Sequence, residues 1–188
     1  MSHARDLRLQ SDYDNLKRLA DESEGGLEIV SATGAPPDNY VIEYRCRSIE
    51  AVANGKPFYA NVHLMRIRLP ARYPLPSAPP RLEMLTPVFN PHVYPNRQVC
   101  LGTWQTSEYL DELVARVGAL LQFDRRIINM RDPANPEAME WIKKNLILLP
   151  TDNKIYGAKD IELRTIDPRD FEQAVDGDSD LRLEWVDE

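Results

Sequence analysis

The sequence predicts an α+β domain, with an N-terminal helix, a four-stranded antiparallel meander sheet and C-terminal helices covering one side of the sheet. Three observations carry this. Apolar residues recur at helical spacing only near the two ends of the first 150 residues. Between them apolar and polar residues alternate, as on half-buried strands. No helical pattern separates one strand candidate from the next, which favours a meander over a parallel crossover layout.

The first helix runs from Arg5 to about Glu22. Leu7, Leu9, Leu16 and Leu19 supply its apolar positions, and Gly25-Gly26 ends it. Leu27 to Ser31 is a short strand, followed by a turn at Ala35-Pro36-Pro37-Asp38-Asn39. In the second strand Tyr40, Ile42, Tyr44 and Cys46 alternate with Val41, Glu43, Arg45 and Arg47, which puts Cys46 on an apolar face. A third strand spans Phe58 to Leu69. The crossing from Pro70 to Pro80 is too rich in proline for helix or central strand, and Arg81 to Thr86 is the fourth strand. Phe89 to Thr106 has no periodicity, and an irregular stretch of this kind inside a compact domain is usually functional. A second helix from about Ser107 to Phe123 carries the stripe Leu110, Leu113, Val114, Val117, Leu120 and Leu121. A third spans about Asn135 to Leu148, with Pro136 in its first turn and Leu146 to Leu149 expected in the core.

Composition excludes several function classes. The chain has 188 residues, is 43% hydrophobic and 28% charged, and contains two cysteines. No apolar run is long enough for a membrane span, and the start lacks the apolar core of a secretory signal. Two cysteines make neither a disulfide framework nor a zinc site, so a reducing, cytoplasmic setting and no metal are expected. The net charge of −7 resides in the last 38 residues, where 12 acidic residues face 5 basic ones. The first 150 residues hold 18 of each sign, so no basic face points to nucleic acid. The expected organisation is a catalytic unit over residues 1–150 and an acidic extension over 151–188, separable without unfolding the unit. Within the extension Asp167 to Val175 reads as a short helix, and Phe171, Leu181, Leu183 and Trp185 are candidates for docking.

Cys100 lies at the end of the irregular stretch, in Asn96-Arg97-Gln98-Val99-Cys100-Leu101-Gly102-Thr103-Trp104. A nucleophilic cysteine needs partial exposure and a site that tolerates its thiolate, which a loop can provide. Cys46, in a strand pattern, reads as an inert core residue.

A set of short words in fixed order surrounds Cys100: Tyr73-Pro74, Pro79-Pro80, Leu85-Thr86-Pro87, Phe89-Asn90-Pro91-His92-Val93, Val99-Cys100-Leu101, Trp104, Asp132-Pro133 and Asn135-Pro136-Glu137-Ala138. Together they resemble the ubiquitin-conjugating enzyme family over roughly Arg5 to Asn145. The resemblance implies that family's fold. It also implies its reaction, in which a ubiquitin-like protein passes from an activating enzyme to Cys100 as a thioester and then to a target amine, often with a ligase. Cysteine suits this as both nucleophile and leaving group. No cofactor is implied, because ATP is spent on the activating enzyme.

The chain departs from the family where the usual word ends His-Pro-Asn. Here it reads Asn90-Pro91-His92, so His92 takes the oxyanion-stabilising position eight residues before Cys100, and Asn90 takes the preceding one. An imidazole N–H can donate as an amide does, but it titrates near neutrality, so a stronger pH dependence is expected. Both residues can equally serve to shape the turn, Asn90 through a side-chain-to-backbone bond. Asp132, 32 residues after Cys100, matches the family's acidic residue beside the cysteine, or is a turn residue before Pro133. For partner surfaces, the resemblance implies that Arg5, Arg8, Lys17 and Arg18 on the first helix meet the activating enzyme. It implies that Leu75 and the Trp104 loop meet a ligase. The loop holding Leu75 is two residues longer than usual and the Trp104 loop is shortened. The alternative is an inactive, ubiquitin-binding member of the same fold. The divergent motif and loops suggest a bacterial conjugating enzyme, of the kind encoded with its own activating enzyme, modifier and peptidase in antiviral operons.

Overall fold

The computed structural model describes residues 3–100, 102–124, 126–128, 131–150 and 156. It has an N-terminal helix, an antiparallel sheet of four strands and C-terminal helices, as the sequence predicts. Helix α1 spans His3–Glu22, and strands β1 (Leu27–Gly34), β2 (Pro37–Tyr44), β3 (Ser48–Ala53), β4 (Lys56–Ala60), β5 (His63–Arg68) and β6 (Arg81–Met84) follow. Helices α2 (Leu110–Leu121) and α3 (Pro136–Lys144) come last, with a short 3-10 turn at Leu146–Leu148. The four-stranded sheet has the order β1-β2-β5-β6, and β3 and β4 form a separate hairpin.

The alternation in β2 and β5 sets the register. Tyr40 pairs with Ile67 and Ile42 with Met65, which puts all four on the buried face. Helix α2 covers that face with the stripe the sequence predicts, every member of which is buried. Its first-turn Glu112 carboxylate accepts from the Tyr109 backbone N–H at 2.7 Å. In α1, Leu9, Leu16 and Leu19 face the core, but Leu7 is 57% exposed. The missing member of the stripe is Asp12, a carboxylate at the right helical spacing. It is tolerated because it is satisfied: it accepts from Arg8 Nε, from the Tyr73 hydroxyl at 2.7 Å and from the Leu110 backbone N–H at 3.1 Å. The last bond satisfies an otherwise orphaned N–H at the start of α2.

The expected third strand, Phe58 to Leu69, is two strands, β4 and β5, and β3 was absent from the sequence expectation. The signal for the hairpin was Asn54-Gly55, whose φ values of +52° and +74° suit the two-residue turn that matches strand twist. The hairpin lies over a second core of Ile49, Phe123, Ile128, Met139 and Ile142. It is tied there by the Tyr59 hydroxyl donating to Leu148 O at 2.7 Å and by Trp141 Nε1 donating to Gly55 O at 3.2 Å. Asn135 caps α3 by accepting from the Ala138 N–H at 3.1 Å, and Pro136 follows it. Leu146 and Leu149 pack on this second core, whereas Ile147 is 95% exposed and Leu148 is also exposed, contrary to expectation.

Cys46 lies two residues beyond β2 and is buried. Tyr156, past the expected boundary at residue 150, is buried in the principal core. The expected helix at 167–175 and the four apolar residues of the extension fall outside the described residues. No helix among the described residues is long and apolar enough to cross a membrane.

Candidate functional site

The irregular stretch is held from three sides. Asn90 is fully buried; its side-chain amide donates to Leu120 O of α2 at 2.9 Å, and its side-chain oxygen accepts from the His92 N–H at 2.9 Å. The Asn135 N–H donates to Pro91 O at 2.9 Å, fastening the same turn to the start of α3. Ahead of the turn, the Phe89 N–H donates to Ile49 O at 2.8 Å, so the β3–β4 hairpin supports the approach to the site.

After the turn the chain doubles back on itself. Val93 and Val99 pair as antiparallel partners and are both buried. The Cys100 N–H donates to His92 O at 2.8 Å, and the Tyr94 N–H donates to Gln98 O at 2.8 Å. This register puts His92 across from Cys100. Side chains alternate along such a ribbon, so the valines turn inward and positions 92, 94 and 100 belong to the other face. The returning arm also extends the sheet, with the Met84 N–H donating to Arg97 O at 2.9 Å and the Val99 N–H to Leu82 O at 3.1 Å. Cys100 is thus carried on an edge of the main sheet and is half-buried, while Cys46 is shut in the core.

Electrostatics connect further residues to the cysteine. The Tyr94 phenol is pushed up, first by the charge of Cys100 and by a hydrogen bond to it, and in smaller part by Asp132. Tyr94 and Asp132 are exposed and Cys100 is half-buried, and the phenol responds to the charge of both. Sequence reasoning missed Tyr94. Its signal was its place two residues after His92 in a hairpin that returns to Cys100. His92 is held below the ordinary imidazole range, chiefly by burial and secondarily by the charge of Arg116 on α2. Arg116 itself pairs with Glu108 at 2.7 Å. At neutral pH the His92 imidazole is consequently uncharged and keeps one N–H donor. Among the described residues no group of three or more His, Cys, Asp or Glu is positioned to hold a metal ion.

The residues expected to meet partners divide. Arg5 is buried and turned inward, pairing with Asp38 at 3.2 Å and donating to Leu69 O and Pro70 O, both at 3.3 Å. Arg8 is likewise drawn in. It pairs with Asp12, donates to Thr106 O and Glu108 O, and lies over the Tyr109 ring at 4.2 Å. Both are internal clamps rather than the outward cations expected, because carbonyls and carboxylates around them take the place of water. Trp104 is buried too; its Nε1 donates to Pro74 O at 3.3 Å, and its ring lies 5.8 Å from that of Tyr73. It braces the proline-rich crossing. Leu75 is 43% exposed, and Lys17 and Arg18 are the exposed cations among the four expected on α1.

Comparison with known proteins agrees with this architecture. The family model described as "Ubiquitin-conjugating enzyme" matches residues 30–148. The "SUMO-conjugating enzyme UBC9" of Caenorhabditis elegans is 34% identical over 88 residues, covering 44% of this chain and 51% of that protein. The match thus spans about half the length of this curated relative. The family match takes in both β2 and α3, the ribbon that carries Cys100 and the turn that holds Asp132, and on that ground the chain belongs to the ubiquitin-conjugating enzyme family.

Proposed function

We propose that the chain accepts a ubiquitin-like protein from an activating enzyme as a thioester on Cys100 and passes it to an amine of a target protein. The observation that carries this reading is the half-exposed Cys100 standing across from His92, with Tyr94 and Asp132 beside it. In charging, the Cys100 thiolate attacks the thioester carbonyl joining modifier and activating enzyme, and the activating enzyme's cysteine leaves as thiolate. In discharge, the amine attacks the new thioester, an amide forms, and Cys100 is released as thiolate. The neutral amine loses one proton as the amide forms, and the Asp132 carboxylate accepts it while the Tyr94 hydroxyl hydrogen-bonds beside Cys100.

His92 stabilises the oxyanion with its neutral N–H. Its burial and the charge of Arg116 keep it in that form. Asn90, with both ends of its amide engaged and no exposure, is a positioning residue. Leu75 is the exposed apolar contact for a ligase. Of the four α1 cations expected to meet the activating enzyme, the exposed Lys17 and Arg18 take that role. The relative's name supports a modifier of the ubiquitin-like class.

The test is a non-reducing gel of the chain with an activating enzyme, a ubiquitin-like protein and ATP. A reducible adduct on the wild type that disappears in Cys100→Ala supports the reading. An adduct that persists in that variant overturns it, and a chain that binds modifier without ever forming an adduct would instead be an inactive binding module.

A further inference from the structure

The principal core contains one aromatic ring that arrives from beyond residue 150. Tyr156 is 3% exposed, and its ring meets that of Tyr44 edge-on, with centroids 5.8 Å apart and planes at 80°. Its two edges rest on glycines. A Cβ on Gly26 would lie 2.9 Å from Tyr156 Cε1, and one on Gly118 would lie 2.7 Å from Cε2, separations that real Cβ atoms do not show. Neither glycine is required by a positive φ, although a Cβ on Gly26 would also lie 3.1 Å from Ser23 O. Gly26 is not among the residues with positive φ, although its neighbour Gly25 is, at +83°. Gly118 sits in the interior of α2, where alanine is the better helix former. What the two positions share is the ring between them. Tyr44 closes the third side and is itself fixed by its hydroxyl donating to Val114 O at 3.0 Å.

We propose that Gly26, Gly118 and Tyr44 form a slot for a phenol ring, that Tyr156 fills it, and that this contact anchors the acidic extension to the catalytic unit. The structural unit then reaches at least to residue 156, although the composition breaks near 150. The proposal is independent of thioester chemistry, and its test involves no transfer reaction.

The test uses the full chain and p-cresol as the probe. Tyr156→Ala should lower the melting temperature by roughly 10 °C, the scale of emptying a buried aromatic site. p-Cresol should raise the melting temperature of that variant saturably and leave the wild type unchanged. Trypsin should cut at Lys154 about tenfold faster in the variant, and p-cresol should not slow this cleavage, because it fills the slot without restoring the tether. Gly118→Ala should destabilise the wild type and cost less in the Tyr156→Ala background, where the two closest contacts of the methyl group are gone and Tyr44 Cε1 remains at 3.3 Å. If Tyr156→Ala does not fold, Gly118→Ala alone and combined with Tyr156→Leu carries the test, the loss shrinking in the pair. A Tyr156→Ala protein that melts like the wild type overturns the proposal. So does p-cresol acting equally on both proteins or on neither, an unchanged rate of cleavage at Lys154, or equal cost of Gly118→Ala in both backgrounds.

Discussion

The backbone N–H of Cys100 donates to the carbonyl of His92 at 2.8 Å, so the cysteine and the histidine hold each other's position across a narrow ribbon. A substitution that keeps the ribbon can therefore change the chemistry at either side chain without moving the other.

Cys100→Ala is expected to abolish the reducible adduct, and Cys46→Ala to retain it. Cys46 is 1% exposed and cannot reach a thioester carried by another protein. Non-reducing gels of the two variants decide the point.

His92→Ala should slow discharge to lysine by about 10²-fold, the scale of losing one oxyanion donor. His92→Asn should recover part of the loss, because its amide also donates. Single-turnover discharge of the preformed adduct measures this apart from charging. Equal rates in all three proteins would make His92 a turn former only. The burial of His92 also moves the pH at which it titrates. With the imidazole held below its ordinary range, discharge should show no His92 step between about pH 7 and 8.

Tyr94→Phe should leave charging near the wild-type rate and slow discharge several-fold, since it removes the hydroxyl that hydrogen-bonds to Cys100. Asp132→Ala should act in the same direction. The double variant should lose less than the product of the two if the residues act as a pair on the incoming amine.

Arg8→Ala should lower the melting temperature by roughly 10 °C, because removing one partner of a buried ion pair costs about 3–5 kcal/mol. Asp12→Ala should do the same, since Asp12 is fully buried and Arg8 nearly so. Thermal melting followed by circular dichroism checks both. Were Arg8 a surface contact for the activating enzyme, the melting temperature would stay and only charging would fall.

Stability should decrease as pH is lowered from about 6.5, the ordinary imidazole value. His63 and His92 are both buried, and burial is the first cause holding each below that value. For His63 the carbonyls of Ala60 and Cys46 and the charge of Glu50 oppose the shift without cancelling it. Above this range neither state gains protons. Below it the unfolded chain binds protons that the folded chain refuses, so folding weakens until the pH has fallen through the folded-state values. His63→Gln should flatten the slope of melting temperature against pH.

Much of this protein could be read from residue order alone. Period-two alternation in Tyr40, Ile42 and Tyr44 and the stripe of α2 determined the layers, because burial on one face writes itself into local spacing. The loop setting of Cys100 and the ordered words around it determined the family. Tertiary structure decided what local spacing does not encode. Asp12 occupies a core position because Arg8, Tyr73 and Leu110 meet there from distant parts of the chain. Arg5 and Arg8 look like surface residues by type, yet carbonyls brought from about 60 to about 100 residues away turn them inward, and a carbonyl 30 residues away holds Trp104 in the same manner. Tyr156 follows a composition break, and its place in the core depends on two glycines that lie 92 residues apart in the chain and close together in the fold. Polar partners and van der Waals space come from three-dimensional neighbours, and neighbours that far apart leave no periodicity for the sequence to display.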